Sequence, residues 1–234
     1  MVAPFIFFDL GQTLIDEWDF ISNFDQKFLE MLNGFGARID QRNYRAVRDS
    51  IIRDRKIGNG SVKELIIEVC KLLSPKGYEK VIARRLESQI KQGRRDLFRF
   101  FDDAEPTLKA LSKYCQMGII ANQSEDITEL VEKAGFHRFF AVQVISSSVK
   151  LKKPDSRIFD LALNQAGRPA RDCIMVGDRL DTDICPANML GMTTVRTTNS
   201  LFSLQAPLKE CEHPTYTVAG LSEIPKIIQS IIIS

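Results

Sequence analysis

Acidic side chains recur in this sequence just beyond short apolar runs. Phe5-Ile6-Phe7-Phe8 stops at Asp9, and the turn that follows reads Leu10-Gly11-Gln12-Thr13-Leu14. Cys173-Ile174-Met175-Val176 stops at Gly177-Asp178, with Asp181 and Asp183 close behind. Two more runs end in Asn122-Gln123-Ser124 and in Ser146-Ser147-Ser148, the latter followed by Lys152-Lys153-Pro154-Asp155. Two or three carboxylates held together need a cation or a shared proton. Oxygen donors without His or Cys suit Mg²⁺, which keeps waters and takes one or two carboxylates plus a substrate phosphate. A lysine adds compact positive charge for a phosphate. Each residue alone has a plainer use. An Asp at a strand end turns the chain, Asp181 or Thr182 is expected to cap the next helix, and Lys153 alone is a solvated charge. Gathered at successive strand ends in one order, they point to a single site.

The elements that must gather them follow from periodicity. An all-apolar run such as 5–8 reads as a central strand buried on both faces of a parallel sheet. From about 102 onward helices alternate with strands: helices around 106–113, 126–134, 156–166 and 184–190, strands at 117–121, 140–145, 173–176 and 193–196. Glycines at 135, 167 and 191 end three of those helices, which predicts a doubly wound parallel α/β sheet. Ligands in such sheets bind beyond the carboxyl ends of the strands. Between the first strand and this region lie about 80 residues of helical spacing, a size typical of a small domain. Its stripes are Ile21/Phe24/Phe28 with Met31 or Leu32, Tyr44/Val47/Ile51 behind an Asp40 cap, Leu65/Ile66/Val69/Leu73 behind a Ser61–Glu64 capping box, and Tyr78/Ile82/Leu86/Ile90. The expected organisation is therefore an α/β core of residues 1–15 and 96–234, with a four-helix insert at 16–95.

Composition narrows the class. The 234 residues are 44% hydrophobic and 26% charged, ordinary for a folded chain. Lys plus Arg is 32 against 30 Asp plus Glu, a net +2 that argues against a general nucleic-acid binder. Arg84-Arg85 and Arg94-Arg95 near Phe98, Phe100 and Phe101 are the only basic–aromatic cluster, and the phenylalanines are expected to pack. No apolar run reaches the roughly 18 residues of a membrane span, the N-terminus lacks a signal-peptide pattern, and the isoleucine-rich 224–231 is expected to dock on the sheet. Cys70, Cys115, Cys173, Cys185 and Cys211 have no CxxC spacing, and the histidines are His137 and His213 alone. Five thiols in a reducing, cytoplasmic compartment are expected rather than a zinc site or a disulfide framework.

With its motifs in place, nearly the whole chain resembles the haloacid dehalogenase superfamily of hydrolases. Phe7-Phe8-Asp9-Leu10-Gly11-Gln12-Thr13-Leu14 is similar to its first motif, a strand followed by DxDxTL. Gly118–Asn122 is similar to the second, Lys153-Pro154-Asp155 with Ile158-Phe159 to the third, and Val176-Gly177-Asp178 through Asp183 to the fourth, GDxxxxD. The helical insert resembles the C1-type cap of the phosphatase-like branch, with a Rossmann-like core. The resemblance implies that Asp9 attacks phosphorus to form an aspartyl-phosphate, which water hydrolyses. It implies a Mg²⁺ cofactor held by Asp9, the Gly11 carbonyl and Asp178, with Asp183 in the outer shell. Lys153 neutralises charge, and Leu10, Gly11, Ala121 and Asn122 surround the phosphoryl group of a small phosphorylated metabolite.

Two of the motifs depart from that pattern. Gly11 stands where the family carries a second Asp that protonates the leaving group and activates water, and Gln12 stands where Gly is usual. Losing general acid–base help costs typically 10²–10⁴ in rate, and an amide at Gln12 cannot titrate. Ala121 replaces a phosphate-binding hydroxyl worth roughly 1.5–3 kcal/mol, with Asn122 and Ser124 nearby to compensate in part. The expected activity is Mg²⁺-dependent phosphomonoester hydrolysis that is slow or dependent on the leaving group. The alternative is a phosphate-ligand binder without turnover. Trp18, Phe20, Arg45, Arg48, Arg53 and Arg55 are the insert residues available to a substrate, with packing or solvation the plainer use of each.

Overall fold

The computed structural model describes residues 3–60, 62–91 and 95–233; Ser61 of the expected capping box and Arg94 lie outside them. The chain divides into two compact units, one of residues 1–16, 99–203 and 207–234, the other of 17–98 and 204–206.

The first unit is built on six parallel strands. They are β1 (Phe5–Phe8), β4 (Gln116–Ala121), β5 (Val142–Ile145), β6 (Cys173–Gly177), β7 (Thr193–Thr197) and β8 (Tyr216–Val218), in the order β5-β4-β1-β6-β7-β8. β1 is central, with Phe7 opposite Gly118 on one side and Met175 on the other. Its four residues are all buried, which is why the run carries no polar face. Each fully buried phenylalanine or isoleucine contributes about 1.5–3 kcal/mol. Successive side chains leave opposite faces. Phe5 and Phe7, their rings 4.7 Å apart, join a core with Ile158, Phe159 and Ala162 of α8 (Ser156–Ala166). A Cβ on Gly118 would lie 2.9 Å from the Phe7 ring and 2.9 Å from the Val142 carbonyl oxygen, so only glycine admits those rings over β4.

The remaining elements of this unit are α5 (Ala104–Leu111), α6 (Glu125–Lys133), the short α7 (Ser146–Val149) and α9 (Cys185–Met189), with α10 (Ile224–Ile233) at the end. Ile224 and Ile228 of α10 are buried, and the helix packs on α5 and the turn Leu221–Glu223. A small antiparallel pair, β2 (Ile15–Asp16) with β3 (Arg99–Phe100), has no counterpart in the sequence expectations. Neither does β8, whose three residues are too short for a periodic signal.

The cysteine expectation needs correction. Cys70, Cys115 and Cys173 are buried free thiols, but Cys185 and Cys211 are disulfide-bonded. Their elements are already neighbours: Asn188 of α9 donates to the Cys211 and His213 carbonyls at 2.8 and 2.9 Å and accepts from Thr194 Oγ1 at 2.9 Å. Only the fold reveals this pairing, since the partners are 26 residues apart with no motif spacing. Structural disulfides are uncommon in reducing compartments, so this pair departs from the compartment expected on composition.

Among the described residues the second unit holds four α-helices, α1 (Trp18–Gly34), α2 (Gln41–Arg53), α3 (Val62–Leu73) and α4 (Glu79–Lys91). Asp40 caps α2, its carboxylate accepting from Asn43 N at 2.7 Å. Phe24, Phe28 and Tyr44 form an edge-to-face row at 5.6 and 5.7 Å. Within it lies a buried ion pair, Arg48 with Asp25, whose carboxylate also accepts from the Tyr44 hydroxyl at 3.0 Å. Burial raises the Asp25 pKa, and the Arg48 guanidinium opposes that rise. Arg48 thus has a structural use, whereas Arg45 and Arg53 are exposed. Phe98 packs on Phe20 at 5.2 Å in this unit, and in the first Phe100 stacks on Phe136 at 3.7 Å, so both phenylalanines pack. Among the described residues no helix is long and apolar enough to cross a membrane.

Candidate active site

The β1–β6 register sets Phe8 opposite Val176, and Asp9 N donates to Val176 O at 2.9 Å, extending the ladder by one residue. The chain then turns sharply. The Leu10 carbonyl collects the amides of Thr13, Leu14 and Ile15 at 3.2, 2.9 and 2.8 Å, which leaves Asp9 at the strand's carboxyl end with the Leu10 amide bonded to its side chain.

From β6 the chain continues through Asp178 into a wide π-helical turn, Leu180–Ile184. Such turns insert an extra residue and recur at functional sites. Here the turn brings Asp183 back over the strand, where its Oδ2 accepts from Arg179 N at 3.0 Å. A Cβ on Gly177 would lie 2.6 Å from Asp183 Oδ2 and 2.6 Å from its Cβ, so the glycine is what admits the carboxylate. Asp181 does not cap a helix as expected. It pairs with Arg179 at 2.7 Å, and Thr182 makes a long 3.5 Å contact to Asp183. A π turn places these side chains beside the helix rather than before it.

Asp9, Asp178 and Asp183 are all buried and can offer oxygens within 4.8 Å of one another. Lys153, 2% exposed, donates from Nζ to Asp9 Oδ1 at 2.7 Å and to Asp183 Oδ1 at 2.5 Å. Three carboxylates against one bonded ammonium leave negative charge in excess. Burial raises the Asp9 pKa to about 6, with Lys153 opposing and Asp183 reinforcing the rise. Asp178 is pushed well above the carboxylate range by burial and then by Asp183 and Asp9. For Lys153 burial acts downward, but Asp183 and Asp9 outweigh it and hold the ammonium protonated. An all-oxygen, under-compensated cluster fits a hard divalent cation of the Mg²⁺ type. Asp9 and Asp178 could hold it with the Gly11 carbonyl, and Asp183 stands behind them.

The other expected residues are placed as follows. Asn122 turns both ends of its amide on the main chain of Lys153, accepting from its N at 2.8 Å and donating to its O at 2.9 Å. Ala121 ends β4, buried and apolar. Gly11 makes an isolated bridge to Ile15 and brings no titratable group. Asp16 is bonded to Arg99 at 3.1 Å. Ser124 is hydrogen-bonded to Asp126. Two further participants are not expected at the site from the sequence, Ser200 outside every motif and Gln12 within the first. Ser200 hydrogen-bonds to Asp178, and the Gln12 Oε1 accepts from Leu201 N at 3.0 Å. Both contacts join segments far apart in sequence, so no local spacing signals them.

Residues 6–197 match the family model of the haloacid dehalogenase-like hydrolases. The chain is 28% identical over 230 residues to the pyrimidine 5'-nucleotidase YjjG of Escherichia coli (strain K12), covering 97% of this chain and 99% of that one. It is 26% identical to the glyceraldehyde 3-phosphate phosphatase of Methanocaldococcus jannaschii, covering 97% of each. Among solved structures, the HAD-hydrolase YfnB of Bacillus subtilis, bound to magnesium, superposes with a TM-score of 0.67 at 16% identity, over 97% of this chain and 99% of that one. A HAD phosphatase from Thermococcus onnurineus superposes with a TM-score of 0.61 at 21% identity, over 97% and 98%. At these identities the structural likeness speaks for the fold.

Proposed function

The chain belongs to the haloacid dehalogenase-like hydrolases, and within that family we propose that it hydrolyses small-molecule phosphomonoesters with the aid of a divalent cation. The observation that carries this reading is Lys153, buried between Asp9 and Asp183 in a cluster that also holds Asp178. The cluster supplies a nucleophile, a charge partner and a cation site where β1 and β6 end side by side. The named relatives that act on a nucleotide and on a triose phosphate support the substrate class. The helical unit 17–98 is proposed to be the cap that selects the substrate.

Asp9 attacks phosphorus, and the bond from phosphorus to the leaving oxygen breaks with its electron pair on that oxygen. Water then attacks the aspartyl-phosphate at phosphorus, releasing inorganic phosphate and the Asp9 carboxylate. Lys153 holds Asp9 oriented and offsets the charge of the incoming phosphoryl group, the Leu10 amide stays on the Asp9 carboxylate, and the Gly11 amide would face the phosphoryl oxygens. Asp9, Asp178 and the Gly11 carbonyl would hold a Mg²⁺, which would supply charge stabilisation for the phosphoryl oxygens. Gly11 offers no proton, and the nearest acid in sequence, Asp16, is bonded to Arg99. Leaving-group protonation therefore comes from solvent or is dispensed with by a good leaving group.

Gly11 and Ala121 favour a second reading, a protein that binds a phosphate ligand without turning it over. Release of phosphate from p-nitrophenyl phosphate separates the two. Hydrolysis that needs Mg²⁺, stops with EDTA and disappears in Asp9→Asn is the expected result. Equal background in every sample, with Mg²⁺ and phosphate still bound, would leave the second reading standing.

A further inference from the structure

We propose that Gln12 is a positioning residue for the Asp178 carboxylate, acting through the Asn199–Phe202 turn and resting on the reading of Asp178 as a cation ligand. Gln12 has φ +52, the left-handed region that favours glycine, yet it carries a long side chain that is 4% exposed. That side chain is committed: its Oε1 accepts from Leu201 N at 3.0 Å, across 189 residues of sequence. The residue before Leu201 is Ser200, 3% exposed, whose hydroxyl accepts from Phe202 N at 2.9 Å and meets the Asp178 carboxylate. The far side of the same turn is held from β7 and from the segment that follows β6. Arg196 donates to Phe202 O at 2.7 Å, and the Arg179 guanidinium lies 4.2 Å over the Phe202 ring.

Gln12 thus supplies the grip from the nucleophile turn, one residue past Gly11, and Arg196 and Arg179 supply the opposing grip. With the tether intact, Ser200 is fixed against Asp178, and the spacing of Asp178 from Asp9 is set by the protein rather than by the incoming cation. Second partners of this kind orient metal ligands, and their loss typically weakens metal binding by about 10–100-fold.

The test is titration calorimetry with MgCl₂ alone, with thermal melting of the metal-free protein beside it. Gln12→Gly removes the tether and relaxes the left-handed backbone, so a residue that served only the turn would leave Mg²⁺ affinity unchanged and the fold as stable or more so. The expected result is an Mg²⁺ Kd raised about tenfold in Gln12→Gly and in Gln12→Met, with melting of the metal-free Gln12→Gly unchanged or higher. Ser200→Ala should lose a similar factor, and Gln12→Met/Ser200→Ala should lose no more than either single variant, because both act on one link. Unchanged Kd in both Gln12 variants, or losses that multiply in the double variant, overturns the proposal. No Mg²⁺ binding by the unaltered protein overturns the cation-dependent reading itself, and this inference with it.

Discussion

Asn122 grips Lys153 by its main chain, taking the amide at 2.8 Å and giving to the carbonyl at 2.9 Å, so that the end of β4 aims an ammonium that belongs to a different loop. The grip fixes where Nζ can reach, and that reach ends on Asp9 and Asp183. Asn122→Ala breaks both bonds. At about 1 kcal/mol of net stability for each, it is expected to lower stability by about 2 kcal/mol, and the melting temperature by roughly 4–8 °C. Phosphate release should fall with it, since a misplacement of about 1 Å can cost 10²-fold. Wild-type kinetics and melting in this variant would falsify the role of Asn122 as the holder of Lys153.

The raised carboxylates link cation binding to pH. Asp9, with its pKa near 6, and Asp178, also raised, bind more protons in the metal-free folded protein than in the unfolded chain. Stability of the metal-free protein therefore falls as pH rises from the ordinary carboxylate value of about 4 towards 6. A divalent cation must displace those protons. Apparent Mg²⁺ affinity should rise with pH, by up to about tenfold per unit for each proton displaced, the Asp9 contribution fading only about a unit above its pKa of about 6 and Asp178 adding its own. Calorimetry in buffers of different ionisation enthalpy measures the proton release directly. Affinity independent of pH between 5 and 7 would contradict the assignment.

Much of this architecture is legible because burial leaves a compositional trace. Phe5–Phe8 lacks polar residues since both faces of β1 are covered, and the first polar residue, Asp9, marks where the strand leaves the sheet. The same logic exposes Asp178 behind Cys173–Gly177. Asp40 is readable as a cap because its chemistry is local. What the sequence hides is non-local. Gln12 meets Leu201, Ser200 meets Asp178 and Cys185 meets Cys211 only after the sheet has formed. Asp181 and Thr182 mislead because a π turn and a capped helix share the same acidic, hydroxyl-rich composition. Three-residue β8 and two-residue β2 and β3 are too short for any period to register.

The Cys185–Cys211 bridge closes a loop across 26 residues, for which the chain-entropy account gives about 3 kcal/mol of stabilisation. Cys211→Ser, or reduction of the unaltered protein, is expected to lower the melting temperature by roughly 6–12 °C. Neither cysteine is among the residues of the cation cluster, although Cys185 follows Asp183 by two residues, so Mg²⁺ binding at room temperature should survive. Non-reducing peptide mapping identifies the bridge, and identical melting with and without reductant would show that it contributes nothing.

Gly11 brings no titratable group to the nucleophile turn, and under the proposed reading this has a consequence specific to the leaving group. An aryl phosphate expels a weakly basic oxygen and needs little protonation, whereas an alkyl phosphate expels a strongly basic one. The unaltered protein should therefore favour p-nitrophenyl phosphate over a simple alkyl phosphate far more than protonation-assisted hydrolysis would. Breakdown of the aspartyl-phosphate also lacks its base, so phosphorylated Asp9 should accumulate during turnover and be seen by rapid-quench mass spectrometry. Gly11→Asp supplies the missing carboxyl. General acid–base help is worth typically 10²–10⁴ in rate, so this variant is expected to raise alkyl phosphate turnover by about 10²-fold or more, raise aryl phosphate turnover by less, and reduce the standing level of phosphorylated Asp9. Equal gains on both esters would mean that the carboxyl acts through binding rather than proton transfer. No gain on either would show that the site already draws its proton from another group.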